Sequence, residues 1–155
     1  MPAKRKATAA DAQLILELYD LRREAVMRQA RNFIANFWPQ SYEDITKVIA
    51  GFGTQENAWL RQVAGYWEMA ASLVLRGALD EDLFFDNSGE MYFIFTRFKP
   101  YLKQLREEFK APEMMANIEK VILRTPQGRQ RMAAMEKRVE EFARRRAPAA
   151  GGSSQ

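Results

Sequence analysis

The sequence predicts an all-α domain, a compact irregular bundle of several helices, on three observations. Apolar residues recur at spacings of three and four through every long segment, Ser, Thr or Asp precedes most of these runs, and Gly or Pro closes them. The aromatic run 91–95 admits a strand when read alone, but the spacing on both sides assigns it to a helix. At 155 residues the chain has the length of one domain, able to bury about two thirds of its unfolded-chain surface.

The first periodic segment spans residues 9–38, a long first helix with Thr8 as cap and Asp11 three residues later. Leu14, Leu18, Leu21 and Ala25 form its stripe, which drifts into Gln29, Phe33 and Phe37, and its length suggests a bend within 29–36. Pro39 ends it. Ser41 then caps a short helix with Ile45, Val48 and Ile49 on its apolar side, closed by Gly51 and Gly53. Thr54 opens the central helix, residues 55–76, whose Leu60, Val63, Trp67, Ala71 and Val74 are joined by Tyr66, Met69, Ala70 and Leu73 until nearly its whole surface is apolar. It should be the most buried element. Gly77 suits the left-handed position after its end.

Asp80 caps a short turn of helix, and residues 86–89 break it. A helix follows over 90–110, with Pro100 inside it marking a kink or boundary near Lys99. Pro112 suits the first turn of a helix reaching Leu123, and Thr125 with Pro126 starts a basic C-terminal helix to Arg146. In that last helix Met132, Met135, Val139 and Phe142 share a narrow stripe, and Glu140 with Arg144 and Glu141 with Arg145 stand at the favourable spacing for ion pairs. The organisation is therefore a flexible basic N-terminus over 1–7, one helical domain over 8–146 and a flexible tail over 147–155.

Three points along residues 66–107 carry a family resemblance: the aromatic-Glu segment Tyr66, Trp67, Glu68; RGALDEDLFF at 76–85; and KPYLKQLRE at 99–107. The stretch resembles a family of uncharacterised bacterial helical proteins, domain of unknown function 4760. The resemblance implies a helical fold and no activity, so it assigns no role to any residue. Some relatives look tethered to a membrane by an N-terminal hydrophobic helix, which is not found in this sequence.

Composition limits the chemistry. The chain contains neither histidine nor cysteine. His-dependent triads, thiol chemistry, zinc fingers, and haem or iron-sulfur ligation by these residues are excluded. No disulfide framework exists, and no run of about 18 apolar residues appears, which leads to the expectation of a cytoplasmic protein off the membrane. The net charge of +4 is uneven: residues 1–10 carry +3, residues 11–123 carry -4 and residues 124–155 carry +5. The ends are basic and the body is acidic.

Several groups of residues bear on function. Asp80, Glu81, Asp82, Asp86 and Glu90 form a carboxylate cluster with no local cation, the place to look for a divalent metal, but positions 84 and 85 are phenylalanines where a calcium loop needs a ligand and a glycine. Capping by Asp80 and turn formation at Asp86 account for the same residues. Glu68 stands in the least polar helix as a candidate buried acid: paired with Arg61, Arg76 or an arginine of the first helix, partly exposed, or lining a cleft as a functional acid. Lys4, Arg5, Lys6, Arg138, Arg144, Arg145 and Arg146 supply an anion-binding signal, without a recognition helix or phosphate loop. Met132, Met135 and Phe142 are interaction candidates, and the faces of the first and last helices could pair in a homodimer. The expectation is a small interaction or scaffolding domain, through a protein partner or self-association, without a cofactor or metal and not an enzyme. The alternatives are accessory, non-sequence-specific nucleic-acid binding through the termini, and a helical ligand-binding or enzymatic domain.

Overall fold

The computed structural model describes residues 4–147, and these fold into eight helices with no strand among them. They are α1 (Ala9–Leu21), α2 (Ala25–Asn36), α3 (Tyr42–Ile49), α4 (Gln55–Leu75), α5 (Glu81–Asp86), α6 (Gly89–Glu108), α7 (Ala116–Leu123) and α8 (Pro126–Arg146). The first three residues and the tail from 148 onward lie outside the described residues, as does most of the segment expected to be a flexible tail.

Local chemistry sets most of the starts. Thr8 and Asp11 form a reciprocal capping box on α1, and Ser41 and Asp44 form another on α3. Thr54, Asp80 and Thr125 each accept a backbone N–H from the third position of the helix that follows. Gly77, at φ +75°, ends α4 as expected. The long first helical segment is divided in two, and the division falls at residues 22–24 rather than within 29–36. Glu24 explains the place, because its carboxylate accepts from the N–H groups of Val26 and Met27 and caps a second helix there. The break rotates the inward face: Met27, Ala30 and Ile34 are buried, Leu21 and Ala25 face solvent, and Phe33 is half-buried.

Two other points bear on the boundaries. Of the kink or boundary expected near Lys99 no boundary forms, since α6 continues through Pro100 as one element. α7 starts at Ala116, four residues later than expected, because Lys110 and Met115 both take left-handed backbone angles and turn the chain between them. Run 91–95 is helical, inside α6.

The core is built on α4 and α6. α4 packs against α2 and α7, α6 against α8 and α7, and α1 makes its main contact with α5. Leu60, Val63, Trp67, Ala70, Ala71 and Val74 of α4 are buried, as are Met91, Ile94, Phe95, Phe98, Leu102 and Leu105 of α6. Each large apolar side chain of this set stabilises the fold by roughly 1.5–3 kcal/mol relative to exposure. α4 still keeps one narrow side in solvent, where Gly65 and Met69 lie.

The approach of α8 to α7 needs a glycine. A Cβ at Gly128 would lie 2.1 Å from the carbonyl oxygen of Ile122, whereas one at Gly65 would meet nothing within 4 Å. Gly128→Ala is therefore expected to destabilise the domain by about 3 kcal/mol, because backbone must move. Gly65→Ala is expected to stabilise it by about 0.5–1 kcal/mol through helix propensity and a less free unfolded chain. Urea unfolding of the two variants checks both signs.

Candidate functional site

Glu68 projects from the middle of α4 and is half-buried, with its carboxylate at the start of α7. One oxygen accepts the N–H of Asn117 at 2.8 Å and the other that of Ile118 at 3.1 Å. The expectation of a buried acid paired with an arginine is thereby corrected: its partner is a helix end. α7 requires this, since its own N-cap residue, Met115, has no side-chain cap to offer and sits at φ 54°. A carboxylate there satisfies two orphan donors and faces the positive end of the helix dipole.

The carboxylate cluster is taken apart by cations from distant parts of the chain. Glu81 makes a two-point contact with Arg124 at 3.1 and 2.9 Å, Asp82 meets Lys4 at 2.6 Å, and Asp86 meets Arg131 at 3.3 Å. Asp80 caps α5. Glu90 accepts from Arg31 at 2.7 Å and from the indole N–H of Trp67 at 2.9 Å. Each acid has its own partner, and no three carboxylates converge in a way that could hold a metal ion among the described residues.

The basic N-terminus is likewise engaged. Arg5 donates to both oxygens of Asp11, at 3.0 and 2.9 Å, and Lys4 is held by Asp82, while Lys6 is exposed. Asp11, which the sequence reading treated only as a cap companion, is the most heavily bonded acid in the fold. It is 1% exposed and also accepts the N–H and hydroxyl of Thr8 and the N–H of Asp80. The Thr8 backbone N–H foremost, against the opposing effect of burial, and then the Thr8 hydroxyl, Arg5 and the Asp80 N–H, hold its carboxyl well below the ordinary 3.8.

α8 carries the remaining candidates. Arg138, Arg144, Arg145 and Arg146 are exposed; Arg145 pairs with Glu141 at 2.6 Å, whereas no ion pair joins Glu140 to Arg144. Lys4 and Arg131 are both tied to α5, and Arg146 lies fifteen residues beyond Arg131, about 22 Å along the helix. The N-terminal and C-terminal cations are thus held near opposite ends of α8. Met132 is corrected from interaction candidate to core residue: it is 2% exposed and receives the Thr96 hydroxyl on its sulfur. Met135 is half-buried, and Phe142 remains exposed. Together with Phe93, Glu90, Arg138 and Arg145 they line a groove of about 570 Å³ along α8.

Two sites were not visible in the sequence. Arg97 is buried on α6 without a carboxylate: it donates to the carbonyl oxygens of Ile34 and Phe37 at the end of α2 and lies 4.1 Å from the Phe93 ring centroid. Burial pushes its guanidinium down to about 10, so it stays charged at neutral pH. The second is an apolar pocket of about 400 Å³ between α4, the end of α6 and the loop into α7, with Asn57 and Arg61 as its polar residues. Periodicity marked Leu60 as apolar, but not that the packing leaves space beside it.

Residues 7–125 match a family described as a domain of unknown function (DUF4760). The chain belongs to that family. The DUF4760 match runs from before α1 through α7 and stops just short of α8, so the groove is closed on one side by a helix beyond the matched residues. No curated protein and no solved structure matches the chain.

Two outcomes are expected from the carboxylates. Glu68→Ala should destabilise by about 1–2 kcal/mol, the cost of losing a helix cap, and Glu68→Gln by less, since the amide oxygen still accepts one N–H; chemical unfolding measures both. For Asp11 the folded-state value lies below the unfolded one, so its contribution is complete above about pH 3.8 and drains away as the pH falls further. Asp11→Asn should lower the urea midpoint at pH 7, and the gap to the parent protein should close on acidification below that value.

Proposed function

We propose that the protein is a helical interaction domain that self-associates, the outer face of α1 in one copy seating against the α8 groove of a second. The observation that carries this reading is the exposure on α1: Leu16 is 63% and Tyr19 53% exposed, three residues apart on one outer face, while only Asp11 and Leu18 are buried. Large apolar side chains exposed together on one surface mark contact sites on soluble domains. The groove offers Phe93, Met135 and Phe142 as apolar floor, with Arg138 and Arg145 beside them.

Charge supports the same pairing. α1 carries Asp11, Glu17 and Asp20 and no basic residue, whereas α8 carries seven basic residues and three acidic ones. Two α1 helices facing each other would oppose like charges; α1 against α8 opposes unlike ones and, around a two-fold axis, is made twice. No helix among the described residues is long and apolar enough to cross a membrane, and a cytoplasmic location suits a cysteine-free domain of this kind. Nucleic-acid binding has less support, because Lys4 and Arg5 are already engaged by Asp82 and Asp11.

Light scattering after gel filtration and sedimentation equilibrium test the reading. A dimer that weakens as salt rises is expected. Leu16→Glu with Tyr19→Glu, or Arg138→Glu with Arg145→Glu, should each raise the dissociation constant at least tenfold, about 1.4 kcal/mol. Combining the second pair with Glu17→Arg and Asp20→Arg should restore association. A monomer at millimolar concentration in low salt overturns the proposal, as does a dimer indifferent to both pairs.

A further inference from the structure

The pocket between α4, the end of α6 and the α6–α7 loop has the composition of a ligand site. Ile49, Leu60, Phe98, Phe109, Met114 and Met115 supply its apolar walls, Phe52 stands at the edge with 76% of its surface exposed, and no carboxylate lines it. A volume of about 400 Å³ falls within the range of small-molecule sites, where a few fixed polar groups orient a largely apolar ligand.

The fixed polar group is Arg61, and Asn57 fixes it. Asn57 is 1% exposed; its amide nitrogen donates to the carbonyl oxygens of Val48 and Ile49, both at 3.0 Å. That leaves its side-chain oxygen to accept the Nε–H of Arg61 at 2.9 Å. The guanidinium lies 5.9 Å from the Phe52 ring centroid and takes part in no ion pair among the described residues. Its outer N–H groups form a planar fork that suits a carboxylate. A positioned cation beside apolar walls, with no acid to neutralise it, selects an anion carrying a hydrocarbon body.

The wall contributed by the loop is held open rather than free to collapse. Lys110 and Met115 stand at φ 51° and 54°, left-handed angles that non-glycine residues seldom adopt. Arg106 donates to the Met114 carbonyl oxygen from Nε and Nη2, at 3.1 and 2.9 Å, and Glu68 secures the first turn of α7. A cavity whose shape is set before binding loses less ordering entropy when it fills.

We propose that this pocket binds an aliphatic monocarboxylate, its hydrocarbon chain among Leu60, Phe98, Phe109 and Met114 and its carboxylate on Arg61. The site shares no residue with the α1 and α8 surfaces, so it stands whether or not the protein self-associates. Isothermal titration calorimetry of the full chain with octanoate, with dodecanoate below its micelle concentration, and with uncharged dodecanol provides the test. One-to-one binding is expected, tighter for dodecanoate than for octanoate and at least tenfold weaker for dodecanol. Arg61→Gln should weaken dodecanoate at least tenfold and leave dodecanol unchanged. Arg61→Lys should recover part of the loss. Ala64→Phe, which fills the pocket from α4, should abolish binding of both, with circular dichroism and thermal melting confirming the fold of each variant. Equal affinity for dodecanoate and dodecanol, binding unaffected by Arg61→Gln, or no carboxylate binding at millimolar concentration overturns the proposal. So does binding that survives Ala64→Phe, because the ligand then lies elsewhere.

Discussion

Helix ends are the constraint on which this fold depends. Each helix leaves its first N–H groups and last carbonyl groups without partners along its own backbone, and the eight helices among the described residues multiply such ends. Buried and unmet, each such group costs about 1–3 kcal/mol. The chain meets many of them with side chains from other helices: Glu68 of α4 at the start of α7, Arg97 of α6 at the end of α2, Asn57 of α4 at the end of α3, and Arg131 of α8 on the Phe85 carbonyl near the end of α5. Polar residues that look misplaced in apolar helices are the ties between helices.

The same accounting decides what the polar residues are available to do. A carboxylate that caps a backbone or holds a cation already acts as an acceptor, with less freedom to serve as an acid or to gather round a metal. Glu68, Glu81, Asp82, Asp86, Glu90 and Asp11 are all committed in this way. Among the cations the contrast is useful. Arg5, Arg97, Arg106, Arg124 and Arg131 are engaged by carboxylates or carbonyls, whereas Arg61 is held through Nε by the Asn57 side-chain oxygen and lines the apolar pocket.

What was legible in the sequence follows the range of the interactions. Caps act over three residues, and Thr8, Ser41, Thr54, Asp80 and Thr125 all open helices where the pattern placed them. The helical reading of 91–95 succeeded because its apolar period continues through Leu105. The break at Glu24 was missed because glutamate is an ordinary helix former and only its rotamer makes it a cap. Glu68 was singled out correctly as an anomaly, but its partner lies 49 residues away along the chain and is backbone, which no side-chain pattern records. The carboxylate cluster misled for the same reason: its cations come from both flanks of the sequence. The apolar pocket was out of reach altogether, since it is a property of how three elements fail to fill the space between them.

Asp11 joins the first turn of α1 to the N–H of Asp80, across 69 positions of sequence. Tyr66 adds a second long tie, its hydroxyl donating to the Leu18 carbonyl at 2.7 Å. Neither bond can form until α4 and the turn after it are in place. The N-terminal helix therefore has a large loop to close before its polar anchors engage. It is also the natural first unit to detach under native conditions, because it adds little to the apolar interior. Amide protons of α1 are then expected to exchange through a local opening that leaves the α4–α6 core intact, with α1 acting as a latch on the rest of the domain.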